Sequence, residues 1–255
     1  MANKTYSTSQ VARILSVHPH TVRLYAALRL IAAPARKPDG YRVFTDLHLA
    51  QMRLACAALR VPVLQGGLRK LAIRIIHASA ACDVAGAQAL TAEYGARLEA
   101  ERENAVQAAG ITRALLGDCT ATEGGVLLRR GEAAALLGLS VDQLRGWEMN
   151  GLLTVKRRAN GYRVYSAEDV KRLRMIRALR CASYSLSAIL RLLGTLERDP
   201  AADAGRVLDT PDPHEDVVTV CDRLLTSLGQ AQVCAGEIRL RLSQIENFMK
   251  DNPPL

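Results

Sequence analysis

The chain has 255 residues, 49% of them hydrophobic and 23% charged, which is enough apolar material for one large domain or two modest ones and excludes disorder throughout. A formal net charge of +9 suits a polyanionic partner, and six cysteines without a Cys-x-x-Cys pair argue against a disulfide scaffold, a zinc ribbon or a thioredoxin-type redox centre. No window reaches the ~18 uncharged apolar residues of a membrane span, and MANKTYSTSQVARIL lacks the apolar core of a signal peptide, so a soluble, cytoplasmic protein with no membrane partner is expected.

Charge falls into four blocks. Lys and Arg outnumber Asp and Glu by 12 to 2 in residues 1–80 and by 14 to 6 in 127–198, whereas the acidic residues lead by 7 to 3 in 81–126 and by 10 to 5 in 199–255. The alternation signals a duplication and makes the two basic blocks candidate phosphate-binding surfaces.

In chain order, Thr8 is placed to cap a helix that turns Val11, Ala12 and Leu15 inward, Ser16-Val17 make a turn, and Pro19 suits the first position of a short second helix. APARKPDG (33–40) reads as the tip of a two-stranded hairpin, Thr45 caps a helix over about 46–60, and a shorter helix follows near 64–77. Residues 83–117 form a long proline-free helix with Val84, Leu90, Tyr94, Leu98, Ala105, Ala108 and Leu115 as an irregular apolar stripe. Beyond a linker at 119–126 that contains Gly124-Gly125, the pattern returns: Gly138-Leu139 turn the chain, Ser140-x-x-Gln143 forms a capping box for a helix through Met149, and VKRRANG (155–161) is a second hairpin tip. Ser166 caps a helix over 167–181, with another near 185–195. Finally Val217, Cys221, Leu224, Leu228, Ala231, Ala235, Ile238, Leu242, Ile245 and Met249 step by four and three, a coiled-coil seam. At ~1.5 Å per residue both long helices would be about 50 Å long, and matched lengths suggest partners.

The repeat is visible residue by residue. Arg23 matches Arg145 and Tyr25 matches Trp147 at a spacing of 122, while GYRVF (40–44) matches GYRVY (161–165) at 121, a one-residue difference that a surface loop tolerates. Six of the ten aromatic residues lie in these signatures.

RLYA with RLI and GYRVF, then RGWE with GLL and GYRVY, resemble the MerR family of bacterial transcription regulators over nearly the whole chain. The family pattern is a winged helix-turn-helix with an Arg-Tyr-Tyr-Glu-like recognition helix, a Gly-Tyr-Arg-x-Tyr wing and a long antiparallel dimerisation helix. The resemblance implies a mainly α fold of two winged helix-turn-helix domains, each followed by a long helix, with the long helices paired as an antiparallel coiled coil. The domains would be residues 1–80 and 127–198, the long helices 81–118 and 199–255, the latter including a linker. Ala26 departs from the family's Glu, and Gly146-Trp147 from its two Tyr, so the halves are expected to prefer different half-sites.

The DNA-binding candidates are His20, Arg23, Tyr25, Lys37, Tyr41, Arg42 and Phe44 in the first copy, and Gln143, Arg145, Trp147, Arg157, Arg158, Tyr162, Arg163 and Tyr165 in the second. Arginine on a recognition helix reaches guanine edges or phosphates, and wing arginine beside an aromatic ring grips the backbone. The competing reading is that the rings pack each small core. The family resemblance also brings up metal sensing through Cys82, Cys119 and Cys221, with His214 nearby; set against that, cysteines on apolar helix faces, such as Cys56, Cys181, Cys221 and Cys234, read as small hydrophobes. No cofactor or bound metal is expected, no catalytic constellation is present, and no ligand-binding domain is expected after NPPL.

The expected function is sequence-specific transcription regulation by an intrachain pseudo-dimer on a promoter inverted repeat, through DNA bending and untwisting, with RNA polymerase as a further partner by resemblance. An architectural or excision accessory protein is the alternative, a coiled-coil adaptor a third class, and an intermolecular homodimer with four winged domains the rival assembly.

Overall fold

A computed structural model describes residues 4–60, 67–117, 127–155, 161–211 and 220–251, and the chain is mainly helical. It divides into two compact units, Met1–Glu99 with Gly229–Leu255, and Ala100–Leu228. No helix among the described residues is long and apolar enough to cross a membrane.

The first unit opens with β1 (Thr5–Tyr6) and α1 (Thr8–Leu15). Ser7, rather than Thr8, caps α1: its Oγ accepts the N–H of Gln10 at 3.3 Å while Gln10 Oε1 accepts the N–H of Ser7 at 2.8 Å. Two donors orphaned by the helix start are thereby satisfied, an exchange that Thr8 with Val11 three residues on could not provide. The helix ends at Ser16 in the left-handed region (φ +54°), and α2 (Pro19–Ala27) follows, capped by His18, whose Nδ1 accepts the N–H of His20 at 3.1 Å. β2 (Ala35–Arg36) and β3 (Arg42–Thr45) form the expected hairpin, Arg36 opposite Arg42, and β1 adds to the other edge of β3, Tyr6 opposite Phe44.

Next come α3 (Asp46–Leu59) and α4 (Leu68–Ala80), the latter extending past its expected end. Gln51 is fully buried yet satisfied: its Oε1 accepts the N–H of Ala32 at 2.8 Å and its Nε2 donates to the carbonyl of Ser79 at 2.7 Å, tying α3 to both neighbouring segments. The core is Val11, Ala12, Val22, Ile31, Phe44, Leu49 and Met52.

Two long helices, α5 (Val84–Gly117) and α11 (Leu224–Asp251), each contribute to both units. On α5 the buried positions are Ala87, Thr91, Tyr94, Leu98, Ala105, Ala108 and Thr112, stepping by three and four apart from one wider gap. The stripe looked irregular in sequence because two of its members are threonines, whose hydroxyls donate to the carbonyls four residues back, Thr91 to Ala87 at 2.7 Å and Thr112 to Ala108 at 3.0 Å. Bonded that way, a threonine hydroxyl is satisfied along its own helix and can be buried. Leu90, expected in the stripe, is only half-buried. On α11 the expected Leu224, Leu228, Ala231, Ala235, Ile238, Leu242 and Ile245 are all buried. The helix begins at Leu224, after a 3-10 turn (Val220–Arg223) that holds Cys221; Val217 lies outside the described residues. Inside the first unit, Gln88 donates to Glu246 at 2.8 Å and Gln232 to Glu99 at 2.6 Å.

The second unit repeats the first. β4 (Leu128–Arg129), α6 (Arg130–Leu136), α7 (Val141–Met149), β5 (Val164–Tyr165), α8 (Ala167–Cys181) and α9 (Leu186–Arg198) follow in the same order, with the expected Ser140–Gln143 capping box in place. Leu128 pairs with Tyr165 as Tyr6 pairs with Phe44. Left-handed positions recur as well: Ser16 corresponds to Gly138 (φ +60°) and Arg29 (φ +54°) to Gly151 (φ +76°). Non-glycine residues adopt this region at a cost of about 1–2 kcal/mol, so the backbone turns are preserved even where glycine is not.

An additional helix, α10 (Ala204–Asp209), occupies part of the expected linker. Asp203 caps it, and backbone N–H groups of Arg206 and then Gly205, with Arg113 beside them, hold its carboxyl below the ordinary range. Arg191 of α9 donates to the carbonyls of Val207 at 3.0 Å and of Leu208 and Asp222 at 3.2 Å, clamping α10 and the 3-10 turn together. The linker at 119–126 and the second hairpin tip at 156–160 lie outside the described residues.

Candidate nucleic-acid interface

On α2 the side chain of Val22 is buried, while Tyr25 and Ala26 pack against the core. The helical period therefore leaves His20, Arg23 and Ala27 on the outer face, where all three are exposed. The hairpin presents Lys37 and Tyr41, the ring 73% exposed, with Arg42 half-buried at its stem. Gly40 permits the tight return at φ +83°, and the N–H of Lys37 donates to the carbonyl of Tyr41 at 2.9 Å. Arg23, Lys37, Tyr41 and Arg42 line one groove of about 560 Å³ bounded by α1, α2 and the hairpin, so the helix candidate Arg23 shares a surface with three hairpin candidates.

Two rings belong to the interior instead. Phe44 is fully buried on β3, the central strand of its sheet, and meets His48 edge-on at 5.8 Å between ring centres. Tyr165, its counterpart on β5, is also fully buried. Both side chains are buried in their own small cores, as in the competing reading in which these rings pack rather than meet a partner. Tyr25 is half-buried, with its hydroxyl 3.9 Å from Cys56 Sγ; burial foremost, then Cys56, pushes that hydroxyl's pKa up to about 12.

In the second unit Gln143 and Arg145 are exposed on α7, Trp147 is half-buried, and Tyr162 is 69% exposed. Arg157 and Arg158 lie outside the described residues. Arg163 carries an ion pair absent from the sequence reading, its Nε 3.2 Å from Glu148 Oε2. The Glu148 side chain is only 6% exposed and also accepts from Arg130, through Nη2 at 2.6 Å and Nε at 3.3 Å, and from the Tyr165 hydroxyl. Burial first, then Glu148, raises the Tyr165 pKa to about 12, and the hydrogen bond to Tyr165 is the largest influence raising that of Arg130.

The first unit holds none of this network. In the places of Arg130, Glu148 and Tyr165 stand Thr8, Ala26 and Phe44. A different pair appears there: the Tyr6 hydroxyl donates to Asp46 Oδ1 at 2.7 Å, where the second copy has Leu128 and Ala167. Arg130, Glu148 and Tyr165 are thus exchanged together, as are Tyr6 and Asp46, as expected when a buried polar group without its partner is costly, and only Arg42, the counterpart of the partly exposed Arg163, is kept. That joint exchange was the available sequence signal for Glu148 and Arg130.

The thiols are scattered. Cys82 is half-buried at the junction of α4 and α5, 3.9 Å from Gln51 Nε2, and Cys221 is half-buried in the 3-10 turn. Cys181 is exposed rather than packed, because it stands at the last position of α8. Cys119 and His214 lie outside the described residues, and among those described no group of three or more His, Cys, Asp or Glu could hold a metal ion.

Comparison with known proteins finds two family matches in this chain. Residues 7–44 match the model of the MerR family regulatory protein, and residues 128–196 that of the MerR HTH family regulatory protein. Among curated proteins the chain is similar to the HTH-type transcriptional regulator HmrR of Rhizobium leguminosarum bv. viciae, 34% identical over 38% of this chain and 73% of the relative. It is 44% identical to a probable heavy metal-dependent transcriptional regulator of Haemophilus influenzae, over 24% of this chain and about half (49%) of the relative. It is 36% identical to the mercuric resistance operon regulatory protein of Bacillus cereus, over 29% of this chain and 56% of the relative. No solved structure matches.

Proposed function

Because the chain belongs to the MerR family, with two MerR-like units in one polypeptide, we propose that it is a sequence-specific, double-stranded DNA-binding transcription regulator that acts as an intrachain pseudo-dimer. The observation that carries this reading is the gathering of Arg23, Lys37, Tyr41 and Arg42 around one groove beside an exposed second helix, with Arg145, Tyr162 and Arg163 in the matching places of the second unit. A basic helix face offers contacts to base edges, and a basic hairpin offers contacts to phosphates.

The pseudo-dimer reading draws support from the long helices. Gln88 to Glu246 and Gln232 to Glu99 are partners whose numbers run in opposite directions, as an antiparallel pairing of α5 and α11 requires. An ordinary two-chain dimer is needed to supply two readers and two long helices; this chain carries both sets. The matching operator is an asymmetric inverted repeat in a promoter, read through α2 and α7 and bent and untwisted between half-sites, with RNA polymerase acting on the deformed promoter.

Selection of genomic fragments by the full chain, followed by footprinting, tests the proposal. One protected imperfect inverted repeat over a promoter is expected, with light scattering showing a 27.7 kDa particle on one duplex. Protection without any repeat would favour the architectural alternative, and a stable particle of twice that mass, required for binding, would refute the intrachain pseudo-dimer.

A further inference from the structure

In the first unit a cavity of about 620 Å³ lies among the end of α2, the stem of the hairpin and α4. Three arginines, Arg29, Arg36 and Arg42, and the imidazole of His77 wall it, and the rest of its lining is apolar, with Ala26 and Ile31 among the residues. No Asp or Glu lines it, and among the described residues none of the three arginines has an acidic partner. Two walls are fixed by backbone contacts: Arg36 Nη1 donates to the carbonyl of Gly40 at 3.4 Å, and His77 Nδ1 sits 3.2 Å from that of Arg29.

The duplication supplies an internal reference for this cavity. In the second unit the residue matching Ala26 is Glu148, and its carboxylate stands 3.2 Å from Arg163, which matches Arg42. The cation at Arg29 is also particular to the first unit, since Gly151 holds that place in the second. The second unit thus neutralises its hairpin arginine from within, whereas the first gathers three arginines and supplies no anion.

We propose that this cleft is an oxyanion site particular to the first unit, in which an external phosphate or carboxylate group takes, against Arg42, the place that Glu148 takes against Arg163. The planar guanidinium forks suit a tetrahedral or planar oxyanion through paired N–H donors, and the small apolar lining lets such a group come close. Two sources share this chemistry, the backbone of a bound duplex and a free oxyanion. The first rests on the DNA-binding reading above; the second stands without it.

The test transplants the second unit's solution into the first. Ala26→Glu, with Ala26→Gln as its uncharged control, is titrated against a duplex recovered by genomic selection, over a series of salt concentrations, in the wild-type and Arg42→Ala backgrounds. If a duplex phosphate fills the cleft, Ala26→Glu weakens binding and makes the slope of log K against log salt shallower by about one. Ala26→Gln then keeps the wild-type slope, and Ala26→Glu has no further effect once Arg42 is gone. In parallel, without DNA, inorganic phosphate is titrated while the Arg29, Arg36 and Arg42 side-chain resonances are followed; saturable shifts lost in Ala26→Glu identify a site for free oxyanions. Thermal melts confirm that each variant is folded. Either arm alone supports the site and names its source. Equal effects of Glu and Gln, or additivity with Arg42→Ala, together with no saturable phosphate binding, overturn it. Should the wild-type chain select no duplex, the DNA-binding reading fails while the phosphate arm still decides the cleft.

Discussion

Replacing Glu148 with alanine tests whether the second unit's polar network is held as a set. The carboxylate is 6% exposed and faces two arginines whose side chains are 25% and 36% exposed, together with the fully buried Tyr165. Breaking a fully buried pair costs about 3–5 kcal/mol. Here water still reaches both guanidinium groups, which reduces that term to about 2 kcal/mol, and the weakened Tyr165 hydroxyl adds about 1 kcal/mol. Glu148→Ala should therefore destabilise by about 3 kcal/mol. The triple variant Arg130→Thr, Glu148→Ala, Tyr165→Phe installs the residues that the first copy carries, leaves no orphaned partner except Arg163 at the partly exposed hairpin stem, and should cost about 1 kcal/mol. Urea unfolding followed through Trp147, the single tryptophan and the neighbour of Glu148, reads the local unit directly. If the triple variant costs as much as its three single changes added together, the network is not a coupled set and the reasoning is wrong.

Ser16→Gly should stabilise the first unit by about 0.5–1 kcal/mol, the left-handed strain relieved less the extra backbone entropy of glycine in the unfolded chain, as a rise in the urea midpoint. Burial holds the pKa of His48 below its ordinary value of 6.5, and Nδ1 accepts the N–H of Thr45, an acceptance that protonation at this nitrogen abolishes. Between its folded pKa and 6.5 the unfolded chain binds more protons, so His48 lowers stability as pH falls through that window, and His48→Gln should flatten the slope of unfolding free energy against pH there. On α11, Ile238→Ala should cost about 3 kcal/mol, whereas Val233→Ala, at a position 75% exposed, should change stability by about 0.5 kcal/mol or less; equal effects would mean that the buried seam is misplaced. In DNA binding, Arg42→Ala should reduce the salt slope more than Arg163→Ala, since Arg163 is already paired with Glu148.

The sequence by itself determined what depends on short-range pattern. Helical period, cap residues and turn formers placed α1, α2, α3, α7 and α8, and the stepped apolar positions of α11 identified the face that is buried. Gly-Tyr-Arg fixed the first hairpin, because a left-handed glycine before an exposed tyrosine is a local requirement. The candidates Arg23, Lys37, Tyr41 and Arg145, exposed in the fold, were marked by the repeated signatures and the hairpin tip. Tertiary packing alone decided which signature residues face outward: Phe44 and Tyr165 lie on strands whose inner face depends on the sheet and helices they meet, and no local pattern separates a hairpin ring that grips from one that packs. Only the fold could show α10, set by Arg191 and Asp203 across a segment without strong periodicity, and the threonines of the α5 seam, whose burial depends on hydroxyls satisfied along the helix. Glu148 shows the boundary most directly. The sequence displayed the letter, but whether a carboxylate on α7 meets solvent, a duplex or two arginines depends on the distance across β4 and β5, a quantity that exists only once the chain has folded.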